Sequence, residues 1–522
     1  MLKIPSESRC SGRHARMVVL AAAAVSVLAM GQARADVTDE LLNQLVAKGV
    51  LTKGEYVKLK ARHEAEKAEM ARNSGPMMHR MVTKNGVVVV PDDRYITRLD
   101  KGIGFHIPGL ITKEGETGAV DVKISGDLVF GADETFGAHA SGNPGPTAAK
   151  AIDGGLVTAS PNEPYNAIQA GLLPSAIVLS LATNQMGYDL GFTIGAYTGG
   201  NNVDTGGCAL NANCAGAPLA LGTPGIDLRQ VFGTVGTPTF GTVKIGRDLG
   251  LFGSDAILND ATLLGMGSPL ATNAPRNTTL GRIGIGYVYA DWIPQVTYTT
   301  PDFNGFTASI GAFTPLETAA VFTPGSATST LTGQELPMVQ GQIKWKGDLA
   351  PGTKLTISGD GVWQEHRNDT ATSSFSALAP NASVQSWGLD GFGKLDIQGF
   401  SFVAYGYYGK GLGTTGLFFE GFDINGNPRT SFGGYAQGSY TWDKFTFGAS
   451  WGVSAMNATG VDYTDGEAPF LLKDNESIIG FARYQLTPWM ALQAEFGHTW
   501  AINWSGYTLN EDDIWLGTAW FF

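Results

Sequence analysis

The sequence predicts an all-β transmembrane protein, in which about 16 antiparallel strands close into a barrel behind a short helical, coiled-coil-like arm. Segments with alternating apolar and polar residues recur from residue 119 to residue 522, joined by short turns and long loops in strict rotation. Charged residues make up only 16% of the chain, and its mean hydropathy is -0.01. Such values are expected of a wall that turns one residue to lipid and the next to water.

Residues 1–35 have the pattern of an export signal, with a basic start, an apolar stretch from Met17 to Met30 and a small-x-small cleavage site at Ala33–Ala35. The apolar stretch is short for a spanning helix, so we place the mature start near Asp36. No later segment has 18 consecutive uncharged apolar residues, so α-helical membrane spans are not expected.

Residues 36–73 form a different segment, rich in Leu, Ala, Glu and Lys and free of Pro. They predict two helices, and Tyr56, Leu59, His63 and Met70 follow one face of the second at near-heptad spacing. One hypothesis is a periplasmic trimeric coiled coil or a contact to the cell wall. The alternative is a solvated amphipathic arm that packs under its own barrel. Residues 74–118 are interpreted as the linker to the barrel, 119–522.

Strands are predicted through the barrel from the period-two pattern and the turns between its segments. In the first of them, Val120, Val122 and Leu128 alternate with Lys123 and Asp127, so the first three are expected to face lipid and the last two the interior. The predicted strands are 119–131, 175–184, 188–198, 226–236, 241–248, 289–299, 306–314, 337–346, 354–366, 383–396, 399–410, 429–442, 445–456, 475–486, 489–503 and 511–522.

The last strand, EDDIWLGTAWFF, places Ile514, Leu516, Thr518, Trp520 and Phe522 on one mostly apolar face. About ten residues suffice for a tilted strand to cross a bilayer. This ending resembles the closing strand of bacterial outer-membrane β-barrels. The resemblance implies that Phe522 and Trp520 form the assembly signal for the barrel-assembly machinery. The alternative is the edge strand of a soluble sandwich.

Charge and chemistry-bearing residues limit the function classes. The formal net charge is -12, and residues 119–522 hold 17 basic and 34 acidic side chains, which argues against nucleic acid and favours cations in a water-filled lumen. Cys208 and Cys214 predict a local disulfide in an exported protein. Ser450 in the sequence GASWG lies within a predicted strand rather than at a strand-to-helix turn, so catalysis is not expected. No cofactor or metal is predicted.

Two further stretches resemble the general bacterial porins. RQVFGTVGTPTFGTVKIGRDLGLFG, residues 229–253, is similar to the strand–turn–strand before the third extracellular loop of that family, and VTYTTPDFNGFTASIGAF, residues 296–313, resembles the hairpin after it. VAKGVLTKGEYVKLKA and the later GFHIPG look like the periplasmic extension of some outer-membrane porins. In this family the third loop folds back into the lumen, so the resemblance implies that residues 249–281 do so.

The resemblance also implies a constriction, in which carboxylates of the loop face a basic ladder on the wall. A short helix with Ser254 as its cap would present the loop carboxylates. Arg229 keeps a ladder position and faces inward by alternation, whereas Asp127 stands where the family usually has Lys. The residues assigned to the constriction are Asp255, Asp260, Arg229, Lys123, Asp127, Lys244 and Arg282.

Together these inferences predict a homotrimeric outer-membrane porin, with its arm in the periplasm, through which small hydrophilic solutes and ions diffuse passively with a modest cation preference. One alternative is a substrate-selective outer-membrane channel for a sugar or a small carboxylate. Another is an envelope-tethering protein that acts through residues 36–73, with the barrel as its anchor in outer-membrane lipid.

Overall fold

The computed structural model describes residues 80–83, 86–89, 103–113, 116–142, 152, 154, 156–157, 165–169, 175–198, 226–265, 280–316, 319–321, 329–331, 334–368 and 378–522. The chain divides into two compact units, Met1–Met78 and His79–Phe522, and all of these residues belong to the second. The predicted signal peptide, the predicted arm and the cysteine pair Cys208 and Cys214 lie outside the described residues.

Nearly all regular structure in this part of the chain is β-strand. In chain order the elements are β1 (Arg80–Thr83), β2 (Gly86–Val89), β3 (Ile103–Lys113), β4 (Glu116–Ser141), β5 (Tyr165–Gln169), β6 (Ser175–Gln185), β7 (Tyr188–Thr198), β8 (Asp227–Thr237), β9 (Gly241–Leu249), α1 (Ser254–Asn259), β10 (Trp292–Thr299), β11 (Phe306–Phe313), β12 (Ala319–Val321), β13 (Ser329–Leu331), β14 (Met338–Ala350), β15 (Thr353–Arg367), β16 (Ser383–Ile397), β17 (Phe400–Lys410), β18 (Thr430–Trp442), β19 (Phe445–Asn457), α2 (Gly460–Asp465), β20 (Leu472–Thr487), β21 (Met490–Asn503) and β22 (Thr508–Phe521).

Sixteen of the described strands form a closed antiparallel wall: β4, β6 to β11 and β14 to β22. The first wall strand, β4, is longer than predicted because its two halves have different neighbours. Its first half pairs with β3 and β6, and its second half pairs with β5 and β22. The hairpins β1–β2 and β12–β13 each form a two-stranded sheet that is not hydrogen bonded to the wall sheet. The predicted barrel of about 16 strands is confirmed.

The wall closes where the last strand meets the first. Strand β22 pairs antiparallel with β4, from Thr508 opposite Ser141 to Phe521 opposite Asp127. The main chain of Phe522 then exchanges two hydrogen bonds with that of Gly126, each 3.1 Å long. These bonds extend the seam to the last residue of the chain.

Side chains alternate across the wall as the sequence predicts. On β22, Leu516 and Trp520 are 44% and 41% exposed on the outer face, whereas Asp513 and Trp515 are fully buried on the inner one. Strand β14 behaves likewise, with exposed Ile343 beside buried glutamines. The outer surface is therefore largely apolar, and polar side chains line the interior.

Connections at one end of the barrel are tight turns. Residues 186–187, 351–352, 398–399 and 443–444 link neighbouring strands, and several turn residues have positive φ, such as Met186 (53°) and Gly187 (85°). Connections at the other end are mostly long, including residues 250–291 and 411–429. No helix in the described part of the chain is long and apolar enough to cross a membrane.

The seam gives a stability prediction. A Cβ atom added at Gly126 would lie 2.6 Å from the carbonyl oxygen of Ala176 and 2.5 Å from the ring of Phe522. Because backbone atoms on the neighbouring strand must then shift, we expect Gly126→Ala to destabilise the barrel by about 1–3 kcal/mol. Urea unfolding in detergent, followed by intrinsic fluorescence, measures this loss. Gly391→Ala is the matched control, since an added Cβ there meets nothing within 4 Å; an equal loss in both variants would contradict the seam clash.

Candidate functional site

The loop between β9 and β10, residues 250–291 and hereafter the inward loop, is described at residues 250–265 and 280–291. At its neck Leu249 pairs with Trp292, and Gly250 N donates a 2.8 Å hydrogen bond to Asp291 O. The amide of Gln295 donates to the carbonyl oxygens of Asp248 and Leu249, both at 3.0 Å. These bonds hold the two ends of the loop together at the inner face of the wall.

The inward loop crosses the interior of the barrel. Its backbone donors meet acceptors on inward-facing wall side chains, since Leu251 N and Phe252 N donate to Gln340 Oε1 at 2.7 and 3.0 Å. Farther along, Ala261 N donates to Gln437 Oε1 on β18 at 3.0 Å. The predicted inward fold of this loop is therefore present in its described residues.

Helix α1 begins the crossing, but its cap differs from the prediction. The N-cap is Gly253, with a left-handed φ of 74° and no side-chain capping hydrogen bond, and Ser254 is the first helical residue. Gly253 N instead donates to Asp390 Oδ2 on β16 at 2.9 Å. The Ser254 hydroxyl accepts a 3.3 Å hydrogen bond from the amide of Gln342. Contacts with the wall have thus replaced the expected local cap.

Asp255 is bonded to wall strands β14 and β15, which lie two and three strands beyond β10 around the barrel. Its carboxylate lies 2.8 Å from Lys344 Nζ on β14 and accepts hydrogen bonds from Ser358 Oγ at 2.6 Å and Gln342 Nε2 at 3.3 Å. The loop carboxylate therefore faces a basic residue of the wall, as the resemblance implies. That residue is Lys344, which was not among the predicted constriction residues.

Two more carboxylates stand beside this contact. Asp360 and Asp390 are directly opposite each other on β15 and β16. Asp390 accepts hydrogen bonds from Asp360 N at 3.1 Å and from Tyr405 OH at 3.0 Å. Asp360 is only 5% exposed, and its Oδ1 has no hydrogen-bond partner among the described residues. Lys344 is thus paired with Asp255, and the carboxyl groups of Asp360 and Asp390 form a neighbouring pair.

Asp260 and Arg282 are in contact, as predicted residues of one site, but both belong to the inward loop. Asp260 accepts hydrogen bonds from Arg282 N at 2.8 Å and Tyr287 OH at 2.9 Å. The Arg282 guanidinium is fully buried and donates to Ser450 Oγ on β19 at 2.9 Å and to Ser477 O on β20 at 3.1 Å. Burial lowers the pKa of Arg282 to about 10. Asp260 therefore joins two parts of the loop, and Arg282 fastens the loop to the wall.

The predicted basic residues Arg229 and Lys244, on β8 and β9, are each paired with a carboxylate on the same strand. Arg229 is buried and donates from Nε to Asp227 Oδ2 at 3.0 Å. Lys244 Nζ lies 2.6 Å from Asp248 Oδ2. A register shift opposite Gly195 turns both Arg229 and its neighbour inward. These basic residues therefore contribute little net positive charge to the interior.

The seven predicted residues occupy four places. Lys123 and Asp127 lie on β4, where Asp127 is buried opposite Ala176. Arg229 and Lys244 lie on β8 and β9, Asp255 meets β14 and β15, and Asp260 joins Arg282. The residues that sequence reasoning missed are Lys344, Asp360, Asp390, Tyr405 and Asp291. The alternation of side chains on β14 indicates that Lys344 faces inward. Nothing near Lys344 in the sequence indicates that Asp255 is its partner.

Asp291, at the neck of the inward loop, has an unusual environment. Burial raises the pKa of its carboxyl to about 7, although the backbone hydrogen bond from Trp292 and the charges of Arg247 and Arg229 oppose that rise. Its Oδ1 accepts that hydrogen bond at 2.6 Å, and its φ is 57°. Among the residues with described positions, no group of three or more His, Cys, Asp or Glu side chains is arranged to hold a metal ion.

Comparison with solved structures found several that are similar to this chain. The outer membrane channel DcaP of Acinetobacter baumannii has 12% sequence identity and a TM-score of 0.54, over 80% of this chain and 100% of that one. The anion-selective porin from Comamonas acidovorans has 11% identity and a TM-score of 0.47, over 77% and 100% of the two chains. OmpF of Salmonella typhi has 11% identity and a TM-score of 0.44, over 77% and 98%. No family model matches the sequence, and no curated protein does. The first similarity shows a common barrel fold.

The neck gives a pH prediction. Because the pKa of Asp291 is about 7 in the fold and 3.8 ordinarily, the folded protein keeps a proton that the unfolded chain releases. The contribution of the protonated Asp291 carboxyl to the free energy of unfolding is therefore complete below about pH 4, and it is lost as the pH rises to about 7. We expect Asp291→Asn, which keeps the oxygen acceptor and tolerates positive φ, to stabilise the barrel at pH 8 by up to about 4 kcal/mol.

Urea unfolding of Asp291→Asn and the wild type at pH 4 and pH 8 measures the difference, which should nearly vanish at pH 4. Asp302→Asn is the control, because Asp302 lies in an exposed turn. A gain of equal size at both pH values would contradict the buried-carboxyl explanation.

Proposed function

We propose that this protein is an outer-membrane channel of the porin type, through which small hydrophilic solutes and ions diffuse passively. The observation that carries the proposal is a closed wall with an apolar outside and a polar inside, crossed by a loop between its fifth and sixth strands. A barrel of this strand number leaves an aqueous lumen rather than a packed core of its own strands. DcaP, whose fold this chain shares, is named as an outer membrane channel.

The charges at the inward loop give such a channel its means of selection. Asp255 and Lys344 oppose each other across the contact between loop and wall, and Asp360 and Asp390 lie beside them. Fixed charges of both signs orient dipolar solutes and disfavour apolar ones. Transport would be driven by the concentration gradient, so no catalytic step is required.

We also propose a modest preference for cations. At the inward loop Lys344 is paired with Asp255, and the carboxyl group of Asp390 lies at the N-terminus of the short helix that contains Asp255. The basic residues Arg229 and Lys244 are each paired with a carboxylate. The acidic excess of residues 119–522 supports the same sign. A lumen with surplus negative charge concentrates cations and repels anions.

Location and assembly follow from the same features. The apolar outer face and the predicted export signal support placement in the outer membrane, with outer-membrane lipid around the barrel. The terminal residue Phe522 and Trp520 would present the assembly signal to the barrel-assembly machinery. We propose a homotrimer from the sequence resemblance and the hypothesis of a coiled coil. A periplasmic arm that contacts the cell wall is proposed from the helical pattern of residues 36–73.

The second candidate is a channel selective for one solute class. Favouring it, the interior holds a buried hydrophobic cluster formed largely by the inward loop, including Phe252, Leu263 and Tyr287, which narrows the passage. Addition of a sugar or a small carboxylate at sub-millimolar concentration would then block single-channel current in a solute-dependent way. If none of these solutes blocks the single-channel current, the general diffusion channel is the supported reading.

Planar bilayer recording tests the proposal directly. The mature protein purified in detergent should insert and give stepwise increases of ionic conductance. Zero-current potentials in a salt gradient should then have the sign of cation preference. Bilayers that stay electrically silent after verified insertion would overturn the channel proposal, and anion preference would overturn only its charge selectivity.

The acidic cluster gives a residue-level prediction. Asp255→Asn removes the negative charge that is paired with Lys344 and should lower the cation-to-anion permeability ratio about twofold, and Lys344→Met should raise it by a similar factor. Asp348→Asn is the matched control, because Asp348 lies on the same strand as Lys344 but is exposed near the tight turns. Reversal potentials measured for the three variants test this prediction. Shifts of the same sign for Asp255→Asn and Lys344→Met would contradict an electrostatic role.

A further inference from the structure

A second connection at the long-loop end also lies inside the barrel. This is the loop between β17 and β18, residues 411–429, hereafter the second loop. The Ser386 hydroxyl on β16 donates to Gly411 O at 3.0 Å. The buried ring of His366 on β15 lies 4.9 Å from that of Phe418 and 5.4 Å from that of Phe422. The second loop therefore packs against the inner face of the wall.

The two loops contact each other within the lumen. Tyr289 N in the inward loop donates a 2.9 Å hydrogen bond to Thr415 O in the second loop. Leu412 and Phe418 belong to the same buried hydrophobic cluster as Phe252 and Tyr289. One continuous packed unit thus contains parts of both loops, so the position of either affects the space left for solute.

A single arginine fixes the end of the second loop. Arg429 is 1% exposed, and its Nε and Nη2 donate to the two oxygens of Asp462 at 3.0 and 2.6 Å. Its Nη1 donates to Glu420 O within the loop at 3.1 Å, and Nη2 lies 3.4 Å from Glu467 Oε2. Arg429 therefore joins the loop to the neighbouring helix α2 through a bidentate, fully buried contact.

The acceptor of this contact is itself held rigidly. Asp462 closes a capping box at the start of α2, in which Thr459 N donates to Asp462 Oδ2 at 2.7 Å and Asp462 N donates to Thr459 Oγ1 at 3.2 Å. The same threonine hydroxyl donates to Asp423 Oδ2 in the second loop at 2.7 Å. The guanidinium geometry and the capping box together permit only one arrangement of the loop.

We propose that the second loop is a further constriction element of the passage, and that Arg429 is the positioning residue that holds it against the inward loop. This inference rests on the proposed channel function. Loss of the guanidinium would leave Asp462 and Glu467 buried beside each other without their cation, an arrangement that a protein relieves by admitting water or moving the segment. Release of the second loop would widen the passage.

Single-channel recording of loop variants tests the inference. Replacement of residues 413–420 by Gly-Gly should raise the conductance at least about twofold, because it removes the part that narrows the lumen. Arg429→Gln should give several conductance levels in place of one, and Arg429→Lys should restore most of the wild-type behaviour. Arg367→Gln is the matched control, since Arg367 lies at the same end, is partly exposed and pairs with Glu335 and Glu365.

The outcomes separate the two proposals. A deletion variant that runs as a folded, heat-modifiable barrel and conducts like the wild type would overturn the role of the second loop while leaving the channel intact. If Arg429→Gln and Arg367→Gln show the same number of conductance levels, the positioning role of Arg429 is overturned. A silent wild-type protein would overturn the channel function, and the constriction with it. If Arg429→Gln fails to fold, the deletion variant still decides the inference.

Discussion

The structure depends on the requirement that every backbone N–H and C=O within hydrocarbon be hydrogen bonded inside the protein. An open sheet cannot meet this requirement at its edges, whereas a sheet whose last strand pairs with its first can. Here β22 meets β4 along its whole length, and the main chains of Gly126 and Phe522 complete the seam. The alternation of side chains follows, because a closed wall has one face toward lipid and one toward water.

The polar inner face in turn makes interior loops possible. A loop removed from bulk water needs partners for its own backbone groups. Side chains of the wall supply them: Gln340 accepts from two loop amides, and Asp390 and Gln437 accept from one each. The same residues that make the inner face polar therefore hold the inward loop, so the wall and the inward loop cannot be altered independently.

The wall was predictable from sequence because each strand carries its own period-two signal, and all sixteen wall strands were placed near their observed positions. The constriction was predictable only in part. The inward direction of Arg229 is a local property, but the contact of Asp255 with Ser358 joins residues 103 positions apart. Ser254 matched a local capping rule, yet Gly253 N bonds to Asp390 and takes the cap position itself. Arg282 was assigned to the constriction, whereas in the structure its guanidinium fastens the inward loop to Ser450 on the wall.

The brace formed by Arg282 has a mechanical consequence. A hollow cylinder of hydrogen-bonded strands resists stretching along its bonds, but its cross-section deforms easily from round to oval. The guanidinium connects a segment anchored at the neck near Asp291 to Ser450 and Ser477 on strands across the cylinder. Such a diagonal strut opposes ovalisation when lateral pressure in the surrounding bilayer changes, so the aperture keeps its shape as the lipid around it varies.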